Sequence, residues 1–167
     1  IMVIYFLAAF AKGVSGLGFT TTALPMLALI FGLKPTLPLL IIPSIVSNLI
    51  VMRQAGEFRA TLRQFLPLYL SQIPGVILGF SLLISLPSYF SSTILGLTLI
   101  SYCLFAFFNP EFALSHYLKK LLAVPTGLLT GFINGLTGSQ VMPLLPYMIS
   151  INLSPSRLIQ AINCSFT

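Results

Sequence analysis

Gly13-Val14-Ser15-Gly16-Leu17-Gly18-Phe19-Thr20-Thr21-Thr22-Ala23-Leu24-Pro25 and Gly131-Phe132-Ile133-Asn134-Gly135-Leu136-Thr137-Gly138-Ser139-Gln140-Val141-Met142-Pro143 decide the fold of this chain. The opening glycine and the closing proline recur at one common offset, so the two stretches read as copies of one element. Each copy sets glycines and hydroxyl or amide side chains between strongly apolar flanks. Glycine weakens a helix, and proline removes a backbone donor and clashes with the preceding turn. An unbroken helix through either patch is therefore unfavourable. In lipid, interrupted backbone survives only where protein or a cavity satisfies its polar groups. The patches are where a membrane protein would place a polar site.

The flanks place the chain in a bilayer. Hydrophobic residues make up 57% and charged residues 6%, against about 25% charged in a soluble domain. No charge occurs in residues 13–33, 35–52, 64–110 or 121–156. Such runs match or exceed the roughly 20 apolar residues that cross a membrane. The composition predicts an all-α, polytopic integral membrane protein whose partner is the lipid bilayer.

The net charge of +6 does not indicate nucleic-acid binding. Its carriers, Lys12, Lys34, Arg53, Arg59, Arg63, Lys119, Lys120 and Arg157, mostly stand between apolar runs, where charges set topology. Cys103 and Cys164 have no CxxC spacing and no neighbouring histidine, so they read as buried free thiols. Nothing supports a metal site or a cofactor. The spans hold no His, Asp or Glu and no serine paired with a base, which argues against an intramembrane enzyme.

Along the chain, an apolar stretch from Ile1 enters the first patch. Residues 35–52 form a spanning helix, 53–63 a basic loop, and 65–86 with 88–108 a helical hairpin. Residues 109–120, with Glu111 and His116, form a second polar loop; 121–132 enter the second patch and 154–167 begin a further helix. Repeat 1 is residues 1–108, and 121–167 start a second repeat that lacks its counterpart of the hairpin. A fragment of a longer protein is the expectation. Placing both basic loops, 53–63 and 109–120, in the cytoplasm is consistent with two crossings between them.

Broken helices at matched places in two repeats are the pattern of secondary-transporter binding sites. A half-helix starting near Thr20 or Ser139 would present backbone N–H groups and a positive dipole end to an anion. Gly13, Ser15, Gly16, Gly18, Thr20, Thr21, Thr22 and Pro25 form the candidate site from the first copy. Asn134, Gly135, Thr137, Gly138, Ser139, Gln140 and Pro143 supply the second. Asn48 and Asn163 face the same cavity or make interhelical hydrogen bonds. Small residues at four-residue spacing let helices pack closely, and packing is the plainer explanation at Gly75/Gly79. Gly127/Gly131/Gly135 share the spacing, but the hydroxyl and amide residues around the patches favour a substrate pathway there. Lys12 would snorkel to an interface or attract anions. His116 is expected in solvent.

The order Gly13-x-Ser15-Gly16-x-Gly18-Phe19…Pro25, Pro35, Pro74-Gly75…Gly79, Gly131…Gly135-x-Thr137-Gly138…Pro143, Pro155 and Asn163 resembles the sulfite exporter TauE/SafE family of permeases. The resemblance spans essentially the whole chain, and its weight lies in the order and doubling of the motifs. It implies an inner-membrane transporter of two repeats that moves small anions such as sulfite, sulfoacetate or other organosulfur compounds. Thr20-Thr21-Thr22 stands where many members carry a denser glycine run, which leaves the substrate open. The expectation is therefore export of a small anion across the cell membrane by alternating access. Inverted repeats are favoured over parallel ones. A passive channel and a non-transporting accessory subunit are the rivals, and homo-oligomerisation stays open.

Overall fold

The structure is a computed structural model that describes residues 1–108 and 115–167, without the His116 side chain. Glu111, the rest of 109–114 and the expected solvent position of His116 lie outside the described residues. Among the described residues the fold is all helical: α1 (Met2–Ser15), α2 (Phe19–Phe31), α3 (Leu33–Ala55), α4 (Phe58–Ser85), α5 (Ser88–Phe108), α6 (His116–Thr137), α7 (Leu144–Ser150) and α8 (Pro155–Ser165). Helices α3, α4 and α5 are long and apolar enough to cross a membrane. Their outer faces carry bare apolar side chains, such as Ile42, Leu78 and Phe107, as a lipid-facing surface requires. The chain is a multi-pass membrane protein.

Both glycine patches interrupt the helix that enters them. Gly16 ends α1 with φ 75°, its N–H donating to Lys12 O at 2.7 Å. Gly138 ends α6 with φ 76°, its N–H donating to Asn134 O at 2.7 Å. These left-handed caps need glycine, because a Cβ there meets the backbone. The prolines do less than the sequence suggests. Pro25 lies inside α2 rather than closing the patch. The second half-helix, α7, begins at Leu144 and not near Ser139, because Pro143 is its cap and the link before it is non-helical.

The 53–63 loop is also shorter than expected. Arg53 belongs to the last turn of α3 and Arg59 and Arg63 to the start of α4, so only Gly56 and Glu57 connect them. Arginine tolerates helix well, and Gly56, at φ 72°, supplies the stop. Similarly, Lys119 and Lys120 sit in the first turns of α6, which Ser115 caps through Leu118 N at 3.4 Å. The Leu86-Pro87 turn of the hairpin falls where it was expected.

Helix α6 packs along α4 with backbones in direct contact. A Cβ on Gly131 would meet Gln72 O; on Gly135, Val76 O; on Gly75, Leu128 O and, at 2.8 Å, Phe132 N. These pairs rise together in number, so α4 and α6 run parallel. In lipid, helices associate through close packing and not through water exclusion, which is why small residues line such a seam. The four-residue glycine spacing is thus a packing stripe.

Two apolar clusters flank this seam. One joins α1, α2, α3 and α5 through Ala8, Leu24, Leu27, Leu40 and Leu95. The other joins α4, α6, α7 and α8 through Leu68, Ala123, Leu144, Met148 and Ile162. The space left between them holds the polar residues.

Hydrogen bonds relate the directions of several helices. Tyr5 Oη donates to Leu39 O at 2.8 Å and Lys12 to Asn48 Oδ1, so α1 and α3 run parallel. Lys119 Nζ donates to Ile151 O at 3.0 Å, which returns the chain after α7 to the level where α6 began. Arg157 Nε meets Glu57 Oε2 at 3.4 Å, so α8 starts at that same end. Arg53, Arg59, Arg63, Lys119, Lys120 and Arg157 therefore share one end of the bundle. Lys34 stands at the other, where its Nζ donates to Leu86 O at 2.8 Å.

Candidate functional site

The space between the two clusters is a cavity of about 580 Å³. Its polar lining comes from five elements and includes Thr20, Thr21, Ser44, Gln72, Thr130, Asn134, Ser139 and Gln140. Thr20 and Thr21 are in the opening turn of α2, which Gly18 caps at φ 93°. Thr20 Oγ1 and Ser44 Oγ share a hydrogen bond of 3.0 Å. Asn134 stands one turn before the end of α6, and Ser139 and Gln140 lie in the non-helical link beyond it. Breaking α6 at Gly138 is what turns this link toward the cavity.

Several of these groups are left without partners. Thr130 Oγ1, Ser139 Oγ and Gln140 Oε1 are buried and make no hydrogen bond among the described residues. A buried polar group without a partner costs free energy, so these atoms are set to receive one. None of the lining residues is acidic or basic. The other face of the cavity is apolar and includes Ile41, Ile73, Ile77 and Phe80, each more than half exposed.

A second hollow of about 590 Å³ lies toward the basic end. It is bounded by Lys12, Gly13, Ser15, Gly16, Ser47, Gln54 and Ser156, among others. The first patch is therefore divided. Gly13, Ser15 and Gly16 face this second hollow, while Thr20 and Thr21 face the first. Thr22 and Gly18 line neither space, and Pro25 lies within α2. Ser15 Oγ donates to Ala11 O at 2.8 Å, or to Leu17 O at 2.7 Å.

From the second patch, Asn134, Gly135, Gly138, Ser139 and Gln140 reach the cavity. Gly135 does so from the α4–α6 seam, where its lack of a side chain serves packing. Thr137 is fully buried, donates to Ile133 O at 2.7 Å and accepts from Ser139 N at 3.1 Å, so it shapes the link without facing the cavity. Pro143 caps α7.

Asn48 and Asn163 resolve as interhelical hydrogen bonds. Asn48 Nδ2 donates to Phe166 O at 2.9 Å, and Asn163 Nδ2 donates to Gly16 O at 3.0 Å. Both tie α8 to the first three helices. Gln72 Nε2 adds a 2.5 Å bond to Ser165 Oγ. The Asn48 bonds run from Lys12 at the second hollow to Phe166 at the first, whereas Gln72 and Ser165 both line the first.

Of the two readings of Lys12, the structure removes the snorkelling one. It does not snorkel: it is 4% exposed, and its ammonium is held by Asn48 Oδ1. Its partner is distant in sequence, so no local signal announces the burial. Gln72, Thr130 and Ser44 were missed, being single polar residues in apolar runs. The thiols separate too. Cys103 is exposed on α5 rather than buried, and Cys164 is half-buried on the cavity wall.

No curated protein and no solved structure matches the chain. The family model for the sulfite exporter TauE/SafE matches residues 1–167. Three apolar spanning helices, with glycine patches that end α1 and α6 beside an uncharged polar cavity, thus come with a match over every residue of the sequence, and the chain belongs to the sulfite exporter TauE/SafE family of membrane transporters.

Proposed function

We propose that the chain exports a small anion, sulfite or a related organic or organosulfur anion, by alternating access through this cavity. The observation that carries the proposal is the convergence of both patches. Thr20 and Thr21 from one, and Asn134, Ser139 and Gln140 from the other, share a single cavity without a carboxylate. Hydrogen bonds to a charged group contribute about 1.5–3 kcal/mol each. Three or four such bonds offset much of the cost of dehydrating a small oxyanion, and a lining free of acidic groups does not repel it.

Two inverted repeats complete the proposal. Helices α1, α2 and α3 correspond to α6, α7 and α8: in each set the first helix ends at a left-handed glycine, a second follows, and a third begins after another break. The sets run in opposite senses, since α1 ends toward the basic end and α6 starts there. Rocking one set against the other exposes the cavity to either side in turn. Excess Lys and Arg mark the cytoplasmic face, so the end bearing Arg53, Arg59, Arg63, Lys119, Lys120 and Arg157 faces the cytoplasm. The membrane is the inner or plasma membrane.

The test is sulfite flux through vesicles containing the purified full-length protein. Saturable flux, competed by other small oxyanions, is expected. Ser139→Leu and Thr20→Leu should lower it about tenfold or more, the factor for losing one charge-assisted hydrogen bond. Gly138 is unsuited to this test because its φ of 76° strains any side chain. Unsaturable flux would identify a passive channel, and absence of anion flux or binding would point to an accessory subunit.

A further inference from the structure

Lys12 is a cation enclosed within the bundle and matched only by a neutral group. It is 4% exposed, its ammonium is bonded to the Asn48 side-chain carbonyl, and no carboxylate touches it among the described residues. Glu57, the acidic residue described, is engaged with Arg157. A charge removed from water is strongly disfavoured unless paired, and in membrane segments such residues mark ion pathways. An amide oxygen is a weak substitute for an anion. The site is therefore electrostatically incomplete.

Its position is equally specific. Lys12 bounds the hollow near the basic end, whereas Phe166, at the far end of the same hydrogen-bond chain, lines the central cavity. Between them, Lys12 donates to Asn48 Oδ1 and Asn48 Nδ2 donates to Phe166 O at 2.9 Å. The chain of bonds thus spans the partition between the two spaces. It also ties α1 and α3 to α8, the elements that must separate if the two helix sets rock.

We infer that Lys12 is the anion-binding residue of the inner hollow, and that Asn48 is a neutral stand-in which an entering oxyanion displaces from the ammonium. Displacement frees the Asn48 amide from Phe166 O and loosens the partition, so that anion binding and opening of the passage are one event. Ser156 borders the same hollow and offers a further hydroxyl donor, while the hydroxyls of Ser15 and Ser47, which also border it, donate to backbone carbonyls. The inference rests on the transport proposed above and adds the residue that first holds the charge.

The decisive variants are Lys12→Gln, Lys12→Arg and Asn48→Asp, with sulfite as the probe in vesicles containing the full-length protein. Lys12→Gln should raise KM for sulfite about ten- to a hundredfold, as loss of a hydrogen bond to a charged group implies. Lys12→Arg should retain saturable flux. Asn48→Asp keeps the side-chain shape but places a carboxylate on Lys12, so it should abolish flux while leaving the protein monodisperse. Asn48→Asp guards against a folding defect in Lys12→Gln. Unchanged KM in Lys12→Gln, or normal flux in Asn48→Asp, overturns the role of Lys12 while leaving transport intact. A wild-type protein that neither moves nor binds sulfite or competing oxyanions overturns the transport proposal itself.

Discussion

Lys34 and Arg157 mark opposite ends of the helix bundle. Lys34 Nζ donates to Leu86 O at 2.8 Å, where α4 turns into α5, while Arg157 meets Glu57 at 3.4 Å, at the other end of α4. Each lies near the start of the third helix in its set, α3 or α8. Inverted repeats place such positions on opposite faces of the membrane, and parallel repeats place them on the same face.

Single cysteines at these two positions, in a background lacking Cys103 and Cys164, test that arrangement. An impermeant thiol reagent applied from outside should label Lys34→Cys in intact cells. Arg157→Cys should react only after the membrane is permeabilised. Labelling of both from the same side would contradict the inverted arrangement and the assignment of the basic end to the cytoplasm.

The α4–α6 seam predicts a sharp contrast between glycines. A Cβ on Gly131 would fall against the Gln72 backbone, whereas one on Gly96 meets nothing within 4 Å. Backbone cannot move aside as a side chain can. Gly131→Ala should therefore cost about 1–3 kcal/mol, the usual range for overpacking, and Gly96→Ala should be near neutral. Thermal unfolding of the two variants in detergent provides the comparison.

Cys164 offers a handle on the cavity. It lies on the wall with Gln72, Asn134 and Ser139, while Cys103 is on the outer surface of α5. With Cys103 replaced by alanine, treatment with N-ethylmaleimide followed by washing should block sulfite flux. The same treatment should leave the Cys164→Ala protein unaffected. Equal flux before and after modification would place the passage elsewhere.

Much of this architecture is legible in the sequence, because lipid imposes simple constraints. Charge-free runs identify the spans, and the glycine patches locate the breaks at Gly16 and Gly138. The register of the two copies is less legible. Gly13 and Gly131 look equivalent, but Gly131 packs against α4 and Gly13 has no neighbour within 4 Å. The residues with matching roles are the left-handed caps Gly16 and Gly138, about one helical turn out of that register.

What the sequence hides is whatever depends on contacts between distant helices. Asn48 and Asn163 could have faced a cavity or bridged helices, and only the fold decides for bridging. Lys12 reads in the sequence as a lysine able to snorkel, and is instead buried in α1 with its ammonium held by Asn48 from α3. Gln72 and Thr130 reach the cavity only because the glycine stripe draws α6 against α4.

The central claim is that the cavity is presented to each side of the membrane in turn while carrying an anion. Counterflow tests it most directly. Vesicles containing the full-length protein are loaded with unlabelled sulfite and diluted into a trace of radiolabelled sulfite. Alternating access predicts a transient accumulation of label above equilibrium, because outward and inward movements are coupled through one site. Label that rises only to equilibrium, at a rate indifferent to internal sulfite, would contradict the account.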